Sequence, residues 1–207
     1  MTNQEPKTIL IYGDSNVWGD TPDAKRLPHG EQWANILQKK LGNNYDIVQE
    51  GLCGRYAGNF DYEPKPHYGG HFCFDVIYRT ASPVDIVILA LGTNDLSDRY
   101  GRTAEQIVND ILWFEPKAKA TLNESETPAI FIYVLPPNFV GKFRENGTFD
   151  LEKRVTVNTE LKKRVANFVE INDIDLSVDG LHFSPKGHGQ MAMAVYDKVM
   201  EIMGSEL

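Results

Sequence analysis

Residues 9–16 of the chain read Ile9-Leu10-Ile11-Tyr12-Gly13-Asp14-Ser15-Asn16, a short apolar run that stops at a glycine, an acid and a serine. A run of this kind, followed within about twenty residues by an amphipathic segment, is typical of a buried strand that ends in a loop and a helix. The carboxyl end of a parallel strand is where open α/β sheets place their chemistry. Ser15 is therefore a candidate nucleophile, and the rest of the chain must supply a base, an orienting acid and donors for an oxyanion.

Four more apolar runs have the length of strands, and segments with helical spacing lie between them. These runs cover residues 45–48, 85–91, 129–135 and 168–171. Residues 86–91 do not alternate between apolar and polar side chains, which indicates a central parallel strand that is covered on both faces. Because strands that alternate with helices form right-handed crossovers, the sequence predicts an α/β fold with a doubly wound, five-stranded parallel sheet.

Four segments carry the apolar stripe of an amphipathic helix. The stripes are Trp33, Ile36, Leu37 and Leu41; Ile107, Ile111, Leu112 and Phe114; Val155, Leu161, Val165 and Phe168; and Met191, Val195, Val199 and Ile202. Three connections are longer than simple turns, namely residues 20–31, 52–72 and 136–150. The second of these either lines a functional site or caps an edge of the sheet with its aromatic residues, which are Tyr56, Phe60, Tyr62, Tyr68 and Phe72.

The bulk properties restrict the classes of protein and partner. The chain has 207 residues and a formal net charge of -8 at pH 7. This length suits a single domain over residues 1–207, and the dispersed acidic charge argues against nucleic acid as a partner. No apolar stretch is long enough to span a membrane and the polar start does not resemble a signal peptide, so we expect no membrane partner. The two cysteines, Cys53 and Cys73, are too few for a disulfide framework, and we expect a cytoplasmic protein.

The segment Asp179-Gly180-Leu181-His182 offers a base and an orienting acid three residues apart. A serine hydroxyl is a poor nucleophile until a base takes its proton, and the base works best when a carboxylate holds its tautomer. On a turn, the carboxylate of Asp179 can reach one imidazole nitrogen of His182 while the other nitrogen faces outward. The same two residues would serve equally well as a turn acid and a surface histidine, so the pair needs support from other motifs.

Two strand-end motifs can supply donors to the negative oxygen of a tetrahedral intermediate. Asn94 lies in Leu91-Gly92-Thr93-Asn94-Asp95, directly after the predicted central strand. Gly54 follows the second strand, where the absence of a Cβ lets a main-chain N–H approach a substrate. Taken singly, Asn94 also fits an Asx turn and Gly54 a bend. Together with the serine and the histidine segment, however, they fall on one edge of the sheet.

In the order of its motifs the chain resembles the SGNH hydrolases, also called the GDSL esterase family. The motifs are Gly13-Asp14-Ser15, the glycine after the second strand, Gly92-Thr93-Asn94-Asp95 and Asp179-x-x-His182. The resemblance runs from Ile9 to the last helix. It is greatest to the arylesterase-like, acyltransferase-like branch, through Glu50-Gly51-Leu52-x-Gly54-Arg55 and residues 83–88.

This resemblance implies a flavodoxin-like three-layer α/β/α sandwich and a serine esterase without a cofactor or a metal. It implies that Ser15 is the nucleophile and that Asp179 and His182 complete a triad. The oxyanion donors would be the backbone N–H groups of Ser15 and Gly54 and the side chain of Asn94. The substrate would be a small-molecule ester, and we expect a short acyl group because no broad apolar groove is evident. The branch includes oligomers, so the resemblance is compatible with a homo-oligomer and with acyl transfer to acceptors other than water.

The chain departs from the family pattern beside these motifs. Asn16 stands where the family name expects leucine, Cys53 replaces a common serine, and Tyr56-Ala57 replaces paired threonines. Val17 also excludes the Gly-x-Ser-x-Gly elbow of the larger α/β-hydrolases. Because such changes alter the pocket, the substrate preference of the branch does not transfer. The residues expected to line the pocket are Asp14, Trp18, Cys53, Arg55, Tyr56 and Phe183.

Two functions of other classes use the same edge of the sheet. A metal-dependent phosphoesterase would find oxygen and nitrogen ligands there, although the chain has no paired-histidine motif. These ligands would be Asp14, Asn94, Asp95, Asp179 and His182. A non-catalytic domain on the same fold would instead bind glycans with the aromatic connection.

Other histidines and acids compete for the roles of base and orienting acid. His29, His67 and His71 lie in connections without a strand-end acid nearby, and His188 is expected at the start or on the surface of the last helix. Asp173 and Asp175 lie one strand end earlier than Asp179. Asp14 and Asp95 are expected to brace their loops by accepting backbone N–H groups.

Overall fold

Five strands form one parallel sheet in the described part of the chain. The computed structural model describes residues 5–59, 66–139 and 148–204. The strands are β1 (Lys7–Gly13), β2 (Tyr45–Gly51), β3 (Ile86–Ala90), β4 (Ile130–Val134) and β5 (Phe168–Val169). Their order across the sheet is β2-β1-β3-β4-β5, and every neighbouring pair is parallel. The predicted five-stranded parallel sheet is therefore confirmed.

Helices occupy the connections between the strands. They are α1 (Ser15–Trp18), α2 (Trp33–Leu41), α3 (Gly70–Ala81), α4 (Ala104–Leu112), α5 (Phe114–Ala120), α6 (Leu151–Arg164) and α7 (Pro185–Gly204). Side-chain caps start several of them. The side chain of Thr103 and the side chain of Gln106 form a capping box at α4, and the Asp150 side chain accepts the Lys153 N–H at α6. Across the described ranges, none of the helices combines the length and the apolarity that a membrane span needs.

Apolar side chains cover both faces of the sheet. In β1, Leu10 and Tyr12 join one core cluster together with residues of α3, α4, α5 and α6. Ile9 and Ile11 join a second cluster together with residues of α2 and α7. β3 divides between the two clusters in the same way, which explains why its run does not alternate. The predicted flavodoxin-like three-layer sandwich is confirmed.

The strand order places a crevice beside the end of β1. This strand pairs with β2 on one side, where Gly13 faces Gly51, and with β3 on the other side, where Gly13 faces Ala90. After β1 the chain first forms β2 on one side of it and later forms β3 on its other side. Such a topological switch point is where doubly wound sheets bind their ligands. Ser15 begins α1 directly at this point.

Residues 70–81 form a helix that the sequence prediction missed. The predicted connection ran to Phe72, whereas α3 begins at Gly70. Phe74 and Tyr78 on its inner face are buried. Phe72 and Val76 are also large and apolar but are 56% and 67% exposed, so no single apolar stripe marks the helix. Phe60 and Tyr62, and residues 140–147 of the third connection, lie outside the described residues.

The predicted stripe of the sixth helix is wrong in its register. Val155 is 57% exposed, Val165 follows the end of α6, and Phe168 belongs to β5. The inward residues are Arg154, Val157, Asn158 and Leu161. The two polar residues are accommodated because Arg154 Nε and Asn158 Nδ2 donate to the carbonyl oxygen of Pro136 at 2.9 and 3.0 Å. Hydrogen bonds to the loop after β4 therefore help to set which face of α6 is buried.

Candidate active site

Ser15, His182 and Asp179 form a continuous line of hydrogen-bonding groups. The Oγ of Ser15 lies 3.0 Å from Nε2 of His182, and Nδ1 of His182 lies 2.9 Å from Oδ2 of Asp179. Ser15 and His182 are only 6% and 5% exposed. With Nδ1–H donating to the carboxylate, Nε2 carries the lone pair that accepts the serine proton. The structure thus brings together the three residues that the sequence nominates for nucleophile, base and acid.

Gly13 and Asp14 create the turn that presents Ser15. A Cβ on Gly13 would lie 2.7 Å from the carbonyl oxygen of Ala90, so only glycine lets the two strands end this closely together. The carboxylate of Asp14 caps α1 by accepting the N–H of Asn16 at 2.9 Å, which confirms its predicted bracing role. Burial raises the pKa of Asp14 to about 6, against the opposing effect of the Asn16 N–H.

The orienting acid is held by its own turn. Oδ1 of Asp179 accepts the backbone N–H groups of Leu181 and His182, both at 3.0 Å, while Oδ2 faces the imidazole. Burial acts to raise the pKa of Asp179, but the hydrogen bonds from Leu181 and His182 outweigh it and lower the pKa below its ordinary value. The carboxylate is therefore ionised at neutral pH, as an acid that stabilises an imidazolium must be.

Three N–H groups are available to receive a negative oxygen. Among the described residues, neither the backbone N–H of Ser15 nor that of Gly54 donates to a protein acceptor. Gly54 has a φ of 79°, which favours glycine, and an added Cβ would meet only the ring of Tyr68 at 3.9 Å. Asn94 Nδ2 donates one hydrogen to the carbonyl oxygen of Arg55 at 2.9 Å and keeps its second hydrogen. The arrangement has the composition of an oxyanion hole.

Hydrogen bonds between the strand-end loops hold these donors around Ser15. The Nη1 of Arg55 donates to the carbonyl oxygen of Gly13 at 2.9 Å, and its guanidinium lies 4.1 Å from the ring centre of Tyr12. Both carboxylate oxygens of Asp95 accept the Ala57 N–H, at 3.0 and 2.9 Å, which confirms the predicted brace. The loops that follow β1, β2 and β3 are therefore tied to one another.

Two residues expected to line the pocket are partly exposed. Trp18 ends α1, and the guanidinium of Arg26 lies 5.1 Å from its ring centre. Cys53 follows β2. Burial, followed by the charges of Asp20 and Asp14, raises the pKa of the Cys53 thiol to about 12. The thiol is therefore protonated at neutral pH and does not compete with Ser15 as a nucleophile.

Three other residues nominated as pocket-lining are buried. Arg55, Tyr56 and Phe183 are 4%, 1% and 3% exposed. The N–H of Tyr56 donates to the carbonyl oxygen of Tyr68 at 3.1 Å, and the ring of Phe183 packs edge-on against His188 with centroids 5.6 Å apart. These side chains are largely enclosed by protein, and their part in lining the pocket stays a prediction.

Asn16, the residue that departs from the family name, connects the nucleophile to the base. Its Oδ1 accepts the backbone N–H of Phe183 at 2.9 Å, and its Nδ2 donates to the carbonyl oxygen of Leu181 at 3.4 Å. These two residues flank His182 on both sides. A leucine could make neither bond, so the departure has a direct role in positioning the imidazole. The sequence marks Asn16 as unusual but does not reveal this contact.

Asp20 is a second acid at the imidazole that the sequence prediction missed. Its Oδ2 lies 3.5 Å from Nε2 of His182, on the side of the ring that faces Ser15, and its side chain is 18% exposed. A signal was present, since Asp20 opens the first of the long connections. The direction in which the Asp20 side chain points, however, depends on how that connection folds.

His188 is placed as a structural residue rather than a base. It lies in the first turn of α7, as predicted, but is fully buried instead of on the surface. Its Nδ1 accepts the backbone N–H of Trp33 at 3.2 Å. Burial lowers the pKa of His188 to about 4, so the ring is neutral at pH 7 and links α7 to the start of α2.

Asp95 is expected to make the protein less stable as the pH rises from about 4 to about 7. Burial raises the pKa of this fully buried carboxyl to about 7, against the opposing hydrogen bond from Ala57. The unfolded chain releases this proton near pH 4, whereas the folded chain retains it until near pH 7. The free energy of unfolding contributed by Asp95 therefore falls across this window, by up to about 4 kcal/mol.

Urea unfolding of the wild type and of Asp95→Asn at intervals between pH 4 and pH 8 measures this effect. The variant should show a flatter dependence of stability on pH, because the amide does not titrate. Parallel curves for the two proteins would contradict the assignment.

Within residues 5–59, 66–139 and 148–204, no group of three or more histidine, cysteine, aspartate or glutamate side chains is arranged to hold a metal ion. The metal-dependent alternative therefore lacks a ligand set in the described part of the chain.

A family model described as GDSL-like Lipase/Acylhydrolase matches residues 9–195. A curated relative, "Uncharacterized lipoprotein YqeF" of Bacillus subtilis, is 36% identical over 47 residues. That match covers 23% of this chain and 19% of the relative, so it spans about a fifth of that protein.

Solved esterase structures share the fold along nearly their whole length. The carbohydrate acetylesterase Est24 from Sinorhizobium meliloti has a TM-score of 0.80 and 24% identity, with 95% of this chain and 99% of that chain covered. The M. Smegmatis aryl esterase has a TM-score of 0.81 and 23% identity, with 94% and 99% covered. A further carbohydrate acetylesterase family member from Sinorhizobium meliloti has a TM-score of 0.83 and 23% identity, with 96% and 99% covered.

Proposed function

Since the chain belongs to the GDSL-like lipase and acylhydrolase family, a family of carboxylic ester hydrolases, we propose that it hydrolyses short-chain carboxylic esters through an acyl-enzyme on Ser15. The observation that carries this proposal is the line from Ser15 Oγ to His182 Nε2 at 3.0 Å and from His182 Nδ1 to Asp179 Oδ2 at 2.9 Å. A nucleophile, a base and an orienting acid in this order are the minimum that acyl transfer to serine needs.

In the first half of the reaction, Oγ of Ser15 attacks the carbonyl carbon of the ester while Nε2 of His182 takes the hydroxyl proton. The carbonyl oxygen becomes negative and accepts hydrogen bonds from the backbone N–H groups of Ser15 and Gly54 and from the side-chain amide of Asn94. When the tetrahedral intermediate collapses, the bond between the carbonyl carbon and the alcohol oxygen breaks. His182 donates the proton that it took from Ser15 to this oxygen. The alcohol leaves and the acyl group stays on Oγ.

In the second half, water takes the place of the alcohol. Nε2 of His182 removes a proton from the water as its oxygen attacks the acyl carbon. The same donors hold the oxyanion, and its collapse releases the acid and returns the proton to Ser15. An alcohol or a peroxide that displaces water from this position would accept the acyl group instead, so the same site supports acyl transfer.

Short acyl groups are proposed for two reasons. The sequence shows no broad apolar groove or lid for a long chain. The structures with the same fold include proteins named as acetylesterases and as an aryl esterase, and their substrates suggest which esters to examine first.

A labelling experiment separates this proposal from the metal-dependent and non-catalytic alternatives. A serine-directed organophosphonate should abolish hydrolysis of p-nitrophenyl acetate and add its mass to the peptide that contains Ser15. Incubation with a chelator should leave the rate unchanged. Inhibition by the chelator alone would favour a metal-dependent phosphoesterase, and a protein that neither hydrolyses esters nor takes up the label would favour a binding domain.

Asn94→Ala is expected to lower kcat for p-nitrophenyl acetate by about 10²–10³-fold, with a smaller change in KM. The side chain donates to charge that develops only in the transition state, so its loss affects the chemical step more than ground-state binding. Asn123→Ala, in an exposed turn, serves as the control for an unrelated asparagine. A change confined to KM would mean that Asn94 contacts the ground-state substrate instead of the oxyanion.

A further inference from the structure

Asp20 is held in one place by the loop that follows the nucleophile helix. The N–H groups of Gly19 and Asp20 both donate to the carbonyl oxygen of Ser15, at 2.8 and 3.0 Å. Asp20 also pairs with Arg26 in an isolated antiparallel bridge, which closes the loop between them. The carboxylate is therefore tied to the backbone of the nucleophile itself.

The two oxygens of Asp20 have different surroundings. Oδ1 accepts the N–H of Thr21 at 3.0 Å and belongs to the loop. Oδ2 lies 3.5 Å from Nε2 of His182, the same nitrogen that is 3.0 Å from Oγ of Ser15. In the described part of the chain, no lysine or arginine forms an ion pair with Asp20. The thiol of Cys53, a weak donor, also hydrogen-bonds to the side chain of Asp20. A carboxylate that is not paired with lysine or arginine thus faces the reacting groups.

The position of Asp20 Oδ2 determines whether it contacts the alcohol half or the acyl half of the ester. The carbonyl oxygen of the ester is bound by the N–H groups of Ser15, Gly54 and Asn94. Nε2 of His182 delivers its proton to the departing alcohol oxygen, which must therefore lie beside that nitrogen. A carboxylate oxygen at 3.5 Å from Nε2 meets the alcohol half of the ester and not the acyl half.

We propose that Asp20 selects esters whose alcohol half carries a free hydroxyl group on the carbon next to the ester-bearing carbon, as in a monoester of a diol or of a sugar. This selection rests on the proposed ester hydrolysis at Ser15. The hydroxyl donates to Oδ2 and forms a charge-assisted hydrogen bond, which is stronger than a bond between neutral groups. An alkyl group at the same place displaces water from the carboxylate and gives no hydrogen bond in return.

The test is the ratio of kcat/KM for 2-hydroxyethyl acetate to kcat/KM for propyl acetate. The two esters have the same number of heavy atoms and differ by a hydroxyl in place of a methyl. We expect the wild type to prefer the hydroxyl ester by about tenfold or more, which is the size of one charge-assisted hydrogen bond. The ratio should fall to about one in Asp20→Leu and to an intermediate value in Asp20→Asn, which keeps an accepting oxygen but loses the charge.

Asp23→Asn is the matched control from the same loop. The carboxylate of Asp23 accepts the hydroxyl of Thr21 and pairs with Lys25 at 2.7 Å, and its side chain is 60% exposed. This variant should keep the wild-type ratio. A loss of the ratio in Asp23→Asn as large as in Asp20→Leu would assign the effect to the loop as a whole and overturn the role of Asp20.

The outcomes separate this proposal from the proposed function. A wild-type ratio near one overturns the role of Asp20 without any variant, as does an equal ratio in the wild type and in a folded Asp20→Leu or Asp20→Asn. Preference for acetylcholine over 3,3-dimethylbutyl acetate, without preference for the hydroxyl ester, would show simple attraction of charge and also overturn it. Failure of the wild type to hydrolyse either acetate would instead contradict the esterase proposal itself.

Discussion

Ser15→Ala is expected to lower kcat for p-nitrophenyl acetate by about 10⁵–10⁶-fold, while the temperature of unfolding changes little. The hydroxyl lies 3.0 Å from the imidazole and no other nucleophile replaces it, since the nearby Cys53 thiol has a pKa of about 12 and stays protonated. Residual hydrolysis would come from direct attack of water on the ester, with the oxyanion donors still stabilising the negative oxygen. Initial rates with purified protein, together with circular dichroism melting, measure both parts of this expectation.

Ser125→Ala is a suitable control, because Ser125 is exposed in a turn before β4. It should keep full activity. Turnover by Ser15→Ala within tenfold of the wild type would refute the acyl-enzyme assignment. A large fall in the unfolding temperature would mean instead that the hydroxyl stabilises the fold, and the activity loss would then need the organophosphonate label to interpret it.

Asp179→Asn is expected to lower kcat by about 10⁴-fold at neutral pH. Oδ2 accepts the Nδ1–H of His182 at 2.9 Å and so keeps Nε2 available as the base. An asparagine amide can donate to Nδ1, which favours the opposite tautomer with its proton on Nε2, facing Ser15. Asp20 cannot replace the lost acid, because it lies at Nε2 and not at Nδ1.

The control for this substitution is Asp173→Asn, which changes an exposed acid that competes with Asp179 in sequence. It should alter kcat by less than about twofold, as is usual for exposed sites away from special contacts. A comparison of kcat for the two variants with the same ester gives the result directly. Equal losses would place the orienting acid elsewhere, and an Asp179→Asn enzyme with near-normal kcat would show that His182 acts without it.

Patterns of hydrophobicity were sufficient for the sheet but not for every helix. The strands were recognisable because runs such as residues 86–91 are continuously apolar and must be buried on both faces. α3 was not recognisable, because the exposed Phe72 and Val76 hide the inner face marked by Phe74 and Tyr78. In α6 the error has the opposite cause, since Arg154 and Asn158 are turned inward by hydrogen bonds to the loop after β4.

The candidate site divides in a similar way. Ser15, Asp179 and His182 lie in short motifs, and the resemblance of these motifs and their order to a known family identified the three residues together. The acid Asp20 and the contacts of Asn16 depend on how separate loops meet in space, and no spacing in the sequence encodes such a meeting. The buried positions of Arg55 and Tyr56 likewise follow from how the loop after β2 packs against the rest of the protein.

The bonds between the nucleophile turn and residues 181–183 join positions that are 165 and 167 apart along the chain. All five strands precede these residues in the order of synthesis. A nascent chain therefore carries its serine from an early stage of synthesis, whereas the histidine is added only after all five strands. Until then Ser15 lacks the base that activates its hydroxyl. The onset of ester hydrolysis during translation would consequently mark the last stage of folding.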